Sequence, residues 1–239
     1  MRRCVTFAVV VGMLVLMATG AWGTPSPPPP AAVSLDVHIV LDAKTNQVAE
    51  EADAYLHSVL PDDEVHLRTI DVPHVTLYLT SFLAKDVGTV VAKAGEVVAG
   101  FGSCASYLNA TVVSGAYGMW TGPPVPCLQA MSDALVRALV PYIGPVSVPA
   151  WVNNLPPKER EEKIKLIHEY GSPNVFQGFQ PHVTLAWDNS TSPTTFGSAL
   201  DALGLNGVVT DYHPSAIAIS HTGPHGTVLR NGTIAQFPL

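Results

Sequence analysis

Pro73-His74-Val75-Thr76-Leu77 and Pro181-His182-Val183-Thr184-Leu185 are identical five-residue blocks whose histidines stand 108 positions apart. Each block opens a run of β-branched and apolar residues, so each reads as the start of a strand. In a strand, side chains at i and i+2 point to one face. His74 and Thr76 therefore share a face, as do His182 and Thr184. Val75, Leu77, Val183 and Leu185 turn the other way, where they can pack beneath helices. Two imidazoles and two hydroxyls around one cleft suit a phosphate diester. One histidine takes a proton from the nucleophile, and the other gives one to the leaving oxygen. An unperturbed pKa of about 6.5 lets one imidazole be neutral and the other charged near neutral pH. The threonines can donate to the non-bridging oxygens, where charge grows in the transition state.

Other residues are candidates of a weaker kind. Tyr78 lies four positions after His74 and is expected on the same face, as a substrate contact or as a partly buried strand tyrosine. Ala186 takes the matching place in the second block, and Trp187 is expected to point away from the cleft into the core. Phe176 and Phe179 precede the second block. They either offer a base platform, since aromatic stacking tolerates any base, or pack back on the domain. Tyr117 and Trp120 have the same two readings. The proton chemistry requires no metal, and neither a metal nor a cofactor is expected. His213, His221 and His225 are spaced across strand and turn, not along a helical face. His38, His57, His66 and His168 lack a paired motif. A G-x-S-x-G elbow, a P-loop and an HExxH motif are all missing.

The elements that must position the blocks follow from periodicity and punctuation. Strands are expected over Leu35–Leu41, Val75–Phe82, Tyr107–Ser114, Ala116–Trp120 and His182–Trp187, with a hairpin of Ser215–His221 and Thr227–Phe237. Helices are expected over Thr45–Leu60, with Glu50, Glu51 and Asp53 as an acidic side, and over Asp86–Gly100, Pro126–Val140, Pro157–Glu169 and Pro193–Leu203. Each block begins a strand that a helix follows, which points to two related lobes. The mixture lacks the regular alternation of a doubly wound sheet, so the fold class is α+β with antiparallel sheets.

The two H-x-T elements, His74-Val75-Thr76 and His182-Val183-Thr184, resemble those of the 2H phosphoesterase superfamily. That superfamily includes the bacterial 2′,5′ RNA ligase-like proteins and cyclic nucleotide phosphodiesterases. The resemblance spans roughly residues 33 to 239 in element order and rests on the two motifs and their separation. It implies a bilobal α+β fold, with two antiparallel sheets and flanking helices around a central cleft. It also implies metal-independent chemistry on 2′,3′-cyclic phosphates, related cyclic phosphates or 2′,5′ linkages. His74 and His182 are the catalytic residues it implies, and Thr76 and Thr184 the phosphate-binding ones.

The remaining signals concern compartment and partners. The chain of 239 residues has 12 basic and 19 acidic side chains, is 13% charged and 47% hydrophobic, and carries a formal charge of −7. This composition excludes a protein that coats long nucleic acid, which needs a basic surface, and it excludes intrinsic disorder. Arg2 and Arg3, the apolar run Val5–Gly20 and the small residues Ala21 and Gly23 at the −3 and −1 positions of a cut have the layout of a secretory signal peptide over 1–23. Residues 24–32 (TPSPPPPAA) form a proline-rich linker, and a single domain is expected over 33–239. The run is short for a bilayer span, so a secreted or lumenal protein without a membrane span is expected once the signal is removed. Cys104 and Cys127 then remain and are expected to pair. Asn109, Asn189 and Asn231 head N-x-[ST] sequons and are glycosylation candidates. The expected protein is a monomeric, secreted phosphodiesterase acting on a small nucleotide or short RNA. A ribonuclease leaving cyclic phosphate ends and a non-catalytic nucleotide-binding module are the alternatives.

Overall fold

The computed structural model describes residues 31–239. The expected signal peptide and nearly all of the expected proline-rich linker lie outside them. Nine strands and five helices occur among the described residues: β1 (Ala32–Val40), α1 (Ala43–Val59), β2 (His74–Leu83), α2 (Val87–Val98), β3 (Ser106–Leu108), β4 (Ala110–Ser114), β5 (Tyr117–Thr121), α3 (Pro126–Leu139), α4 (Pro157–Tyr170), β6 (His182–Trp187), α5 (Pro193–Ala202), β7 (Thr210–Tyr212), β8 (Ala216–Thr222) and β9 (Val228–Pro238). No helix among them is long and apolar enough to cross a membrane.

Two antiparallel sheets carry the repeated blocks. The first has the order β2-β1-β8-β9, the second β4-β5-β6, and β3 pairs with β7 as a separate ribbon. The expected long strand over 107–114 is thus two pieces with different partners. The last linker residues join the first sheet, since Ala32 pairs with Leu83 and the Ala84 N–H donates to the Ala31 carbonyl.

Local chemistry explains the helix ends. Asp42 caps α1 by accepting from the Thr45 N–H at 2.9 Å, and Ser192 does the same for α5 ahead of Pro193. Gly171 ends α4 in the left-handed region at φ 72°, which a residue without Cβ adopts at little cost. The helices cover the outer faces of the sheets. Ser132 of α3 donates to the Leu77 carbonyl of β2. A Cβ at Gly118 of β5 would stand 2.7 Å from the Phe196 ring of α5, so only glycine lets α5 approach. The buried apolar side chains of both lobes form one continuous cluster, with Trp120 fully inside it.

Cys104 and Cys127 form a disulfide that ties the segment before β3 to the first turn of α3. Replacing both cysteines with alanine is expected to cost about 3 kcal/mol through the freed loop entropy of the unfolded chain. Equilibrium denaturant unfolding measures this directly, and an unshifted midpoint would contradict it.

Candidate active site

The two blocks are built alike, down to their irregularities. His74 Nδ1 lies 2.7 Å from the Val72 carbonyl and His182 Nδ1 lies 2.8 Å from the Gln180 carbonyl, in each case two residues back along the chain. A carbonyl only accepts, so both Nδ1 atoms carry hydrogen and proton exchange falls to the Nε2 atoms. Both strands also bulge at the same place. Val37 pairs with Tyr78 and His38 with Thr76, which leaves Leu77 extra. Gly118 pairs with Ala186 and Met119 with Thr184, which leaves Leu185 extra.

The bulge changes which residues face the cleft, because one extra residue moves every later side chain to the other face. Tyr78 therefore joins the face of Val37, opposite Thr76. It is 1% exposed, and its hydroxyl donates to the Tyr170 carbonyl at the end of α4. The substrate contact expected of Tyr78 is not one it makes here; it fastens β2 to α4. Burial pushes its phenol well above the ordinary value, with a weaker opposing effect from Thr80. Trp187 moves the other way. It pairs with Tyr117 on the face shared by Met119 and Thr184, not in the core beneath. Its indole stacks on His225 at 3.6 Å, and His225 Nε2 lies 2.8 Å from a Glu64 carboxylate oxygen.

The first lobe holds a residue that the sequence reading missed. Asp36 on β1 is fully buried. One of its oxygens, Oδ2, lies 3.3 Å from His74 Nε2 and accepts from the Thr76 hydroxyl at 2.6 Å. Its other oxygen has no partner. His38 stands edge-on to His74, 5.3 Å between ring centres, with Nε2 3.0 Å from the Ser220 hydroxyl. The Asp36-x-His38 spacing was the available signal, since it puts both on the His74 face of a neighbouring strand. In the second lobe the corresponding places are taken by Tyr117 and Met119. Among the described residues, neither His182 Nε2 nor the Thr184 hydroxyl has a protein hydrogen-bond partner.

This asymmetry separates the two imidazoles. Burial works against a charged His74, but the Asp36 hydrogen bond and charge, the Val72 carbonyl and Asp71 outweigh it, and its pKa is raised. Burial lowers the pKa of His182, and the His74 charge adds to that against the Gln180 carbonyl and Asp36. Burial and the His74 charge bring His38 down to about 4, so it stays neutral. β2 and β6 pack against each other, which brings the strands that carry the two blocks together.

The loop aromatics stand elsewhere. Phe179 is buried, and Phe176 packs edge-on to Tyr170 at 4.7 Å with the Arg137 guanidinium 5.2 Å from its ring centre. Phe176 lines an open groove of about 990 Å³ between α3 and α4. The motif residues do not line that groove. Trp120 is core. Asn189 and Asn231 are exposed and Asn109 is half-buried.

Solved structures share this architecture. Escherichia coli LigT, crystallised with 3′-AMP, superposes with a TM-score of 0.53 at 12% identity, covering 87% of this chain and 99% of LigT. The fold is that of LigT. TT0787 of Thermus thermophilus gives 0.52 at 15% identity, covering 86% of this chain and 97% of its own. LigT crystallised with NADP+ gives 0.50 at 13% identity, covering 89% and 99%. The bilobal α+β arrangement expected from the two H-x-T elements is therefore the one found. No family model matches the sequence, and no curated protein matches it at a significant level.

Proposed function

We propose that the protein is a phosphodiesterase that opens a small 2′,3′-cyclic phosphate or a related RNA-type phosphodiester. The observation that carries this reading is the pair of His-Thr units, each anchored through Nδ1 so that proton exchange falls to Nε2. Neutral His182 accepts a proton from water through Nε2 as the water oxygen bonds to phosphorus. The bond from phosphorus to one ribose oxygen breaks, and His74 delivers its Nε2 proton to that oxygen. The product is a phosphomonoester, and the proton held by His182 leaves to solvent. Thr184 donates to a non-bridging oxygen without first breaking a protein hydrogen bond. Thr76 turns its hydroxyl from Asp36 to do the same.

The small substrate is favoured by the charge, since the chain from Val33 on has 10 basic side chains against 19 acidic ones, which gives long nucleic acid little to hold. The crystallisation of LigT with 3′-AMP and with NADP+ supports a small nucleotide as the ligand of this fold. The sequence layout of residues 1–23, the disulfide and the exposed sequons at Asn189 and Asn231 support a secreted glycoprotein. A monomer acting without a cofactor completes the reading.

The test is to incubate purified protein with the four 2′,3′-cyclic nucleotides and separate the products by chromatography. Ring opening to nucleoside monophosphates that is lost with His182→Ala supports the proposal. Tight nucleotide binding without turnover would overturn it in favour of a binding module. New cyclic-phosphate ends on an oligonucleotide, with no opening of the ring, would favour a ribonuclease.

A further inference from the structure

The loop after α1 and the buried face of that helix hold a second cluster, separate from the two blocks. The acidic side expected for α1 does not include Asp53, which is 2% exposed and sits on the core face with Ala49, Ala52 and Leu56. His57 follows one turn later on the same face, and Asp63 comes from the loop. His57 Nε2 is 3.8 Å from Asp53 Oδ1, and His57 Nδ1 is 3.8 Å from Asp63 Oδ2. These separations are too long for hydrogen bonds. Asp53 Oδ1, His57 Nε2 and Asp63 Oδ2 are buried and have no hydrogen-bond partner. One potential ligand atom from each of the three residues lies within 4.8 Å of the others.

The other oxygen of Asp63 is already occupied, and that gives the cluster its direction. Asp63 Oδ1 accepts from the Val65 N–H at 3.0 Å and the Trp187 N–H at 2.9 Å. Backbone donors thus orient the Asp63 carboxylate and leave its second oxygen aimed at its neighbours, as outer-sphere partners do around a bound metal. The His66 ring lies parallel to His57 at 4.6 Å and fixes the imidazole plane. With side-chain exposures of 3% for Asp53 and 0% for Asp63, water has little access to the free oxygens.

We propose that Asp53, His57 and Asp63 form a binding site for a divalent cation of the zinc class. One imidazole with two carboxylates suits zinc better than calcium or magnesium, which take six or more oxygen ligands or keep most of their water. Ligand atoms around a tetrahedral zinc stand about 3.4 Å apart; one imidazole nitrogen holds the ion, so the three atoms, within 4.8 Å of one another in the bare protein, draw together by up to about 1.4 Å as it binds. One water carried in with the ion completes the four ligands. The two negative carboxylates, which repel each other in the bare protein, are neutralised by the ion. The metal is structural: it pins α1 to the loop that leads into β2 and, through Asp63, to the end of β6.

The test is thermal unfolding with a metal count. Purified protein is stripped with a chelator, titrated with zinc chloride, and followed by melting temperature and by bound zinc per chain. One zinc per chain and a melting temperature that climbs with zinc concentration are expected, because an ion that binds only the folded state stabilises it by mass action. Asp63 also holds two backbone N–H groups, so Asp63→Asn is paired with His57→Ala, which removes only the half-exposed imidazole. Each is expected to weaken zinc binding by at least about a hundredfold, beyond the loss of an outer-sphere partner. The proposal is overturned by no bound zinc and no shift in the parent protein, by His57→Ala retaining zinc like the parent, or by a shift with calcium and none with zinc.

Discussion

Replacing either His74 or His182 with alanine is expected to lower turnover of a 2′,3′-cyclic nucleotide by roughly 10²–10⁴-fold, the range for loss of one positioned acid or base. Removing both should cost little more than removing one. Proton removal from water and proton delivery to the ribose oxygen belong to one transition state, and residues that act as a unit are strongly non-additive. The fold should survive each change. His182 is half-buried, and its one resolved hydrogen bond is to its own chain two residues back. His74 is more embedded, at 7% exposed, so its replacement leaves the Asp36 carboxylate without that partner. Melting temperature should therefore fall more for His74→Ala than for His182→Ala, while the two activities fall together. Steady-state rates on purified variants, with circular dichroism as the folding control, measure both. Activity within tenfold of the parent for either variant would remove the two-histidine mechanism.

The sequence showed the repeat and the chemistry of its side chains because both depend on residue type at short spacing. His74, Thr76, His182 and Thr184 were found by alternation alone. Alternation then failed one residue later, at Leu77 and Leu185. Each stands extra against its partner strand, and nothing in Val-Thr-Leu announces a bulge. That single inserted residue put Tyr78 into the core and Trp187 onto the opposite face. Asp36 was missed for a related reason. In Leu35-Asp36-Val37-His38-Ile39, an alternating strand suggests a solvated polar face, but β1 is a central strand covered on both sides, and Asp36 and His38 are 0% and 2% exposed. That burial is a tertiary effect, and no local pattern encodes it. Asp53 and His57 were legible as an i, i+4 pair. They were passed over because a charged residue near Glu50 and Glu51 reads as part of an exposed side.

In the proposed mechanism the two lobes, which repeat a backbone, divide the proton work, and Asp36 is what makes them different. A base must be neutral and an acid protonated for the same turnover. With His182 lowered below the ordinary histidine value and His74 raised above it, both conditions hold together across neutral pH. The profile of kcat/KM should be a bell. Its acid limb, where His182 loses its proton, should lie below about pH 6.5, and its alkaline limb, where His74 loses the proton it must donate, should lie above it. Asp36→Asn keeps the shape and an oxygen for the Thr76 hydroxyl but removes the charge beside His74 Nε2. An adjacent opposite charge raises a histidine by about one to three units. The alkaline limb of Asp36→Asn should accordingly move down by at least about one unit. On the new alkaline limb, activity should be at least about tenfold below the parent. The acid limb should move little, because Asp36 acts on His182 more weakly than burial, Gln180 or His74 do. A purely structural role for Asp36 would lower the whole profile and leave both limbs in place. An unmoved alkaline limb would show that His74 does not depend on this carboxylate for its proton.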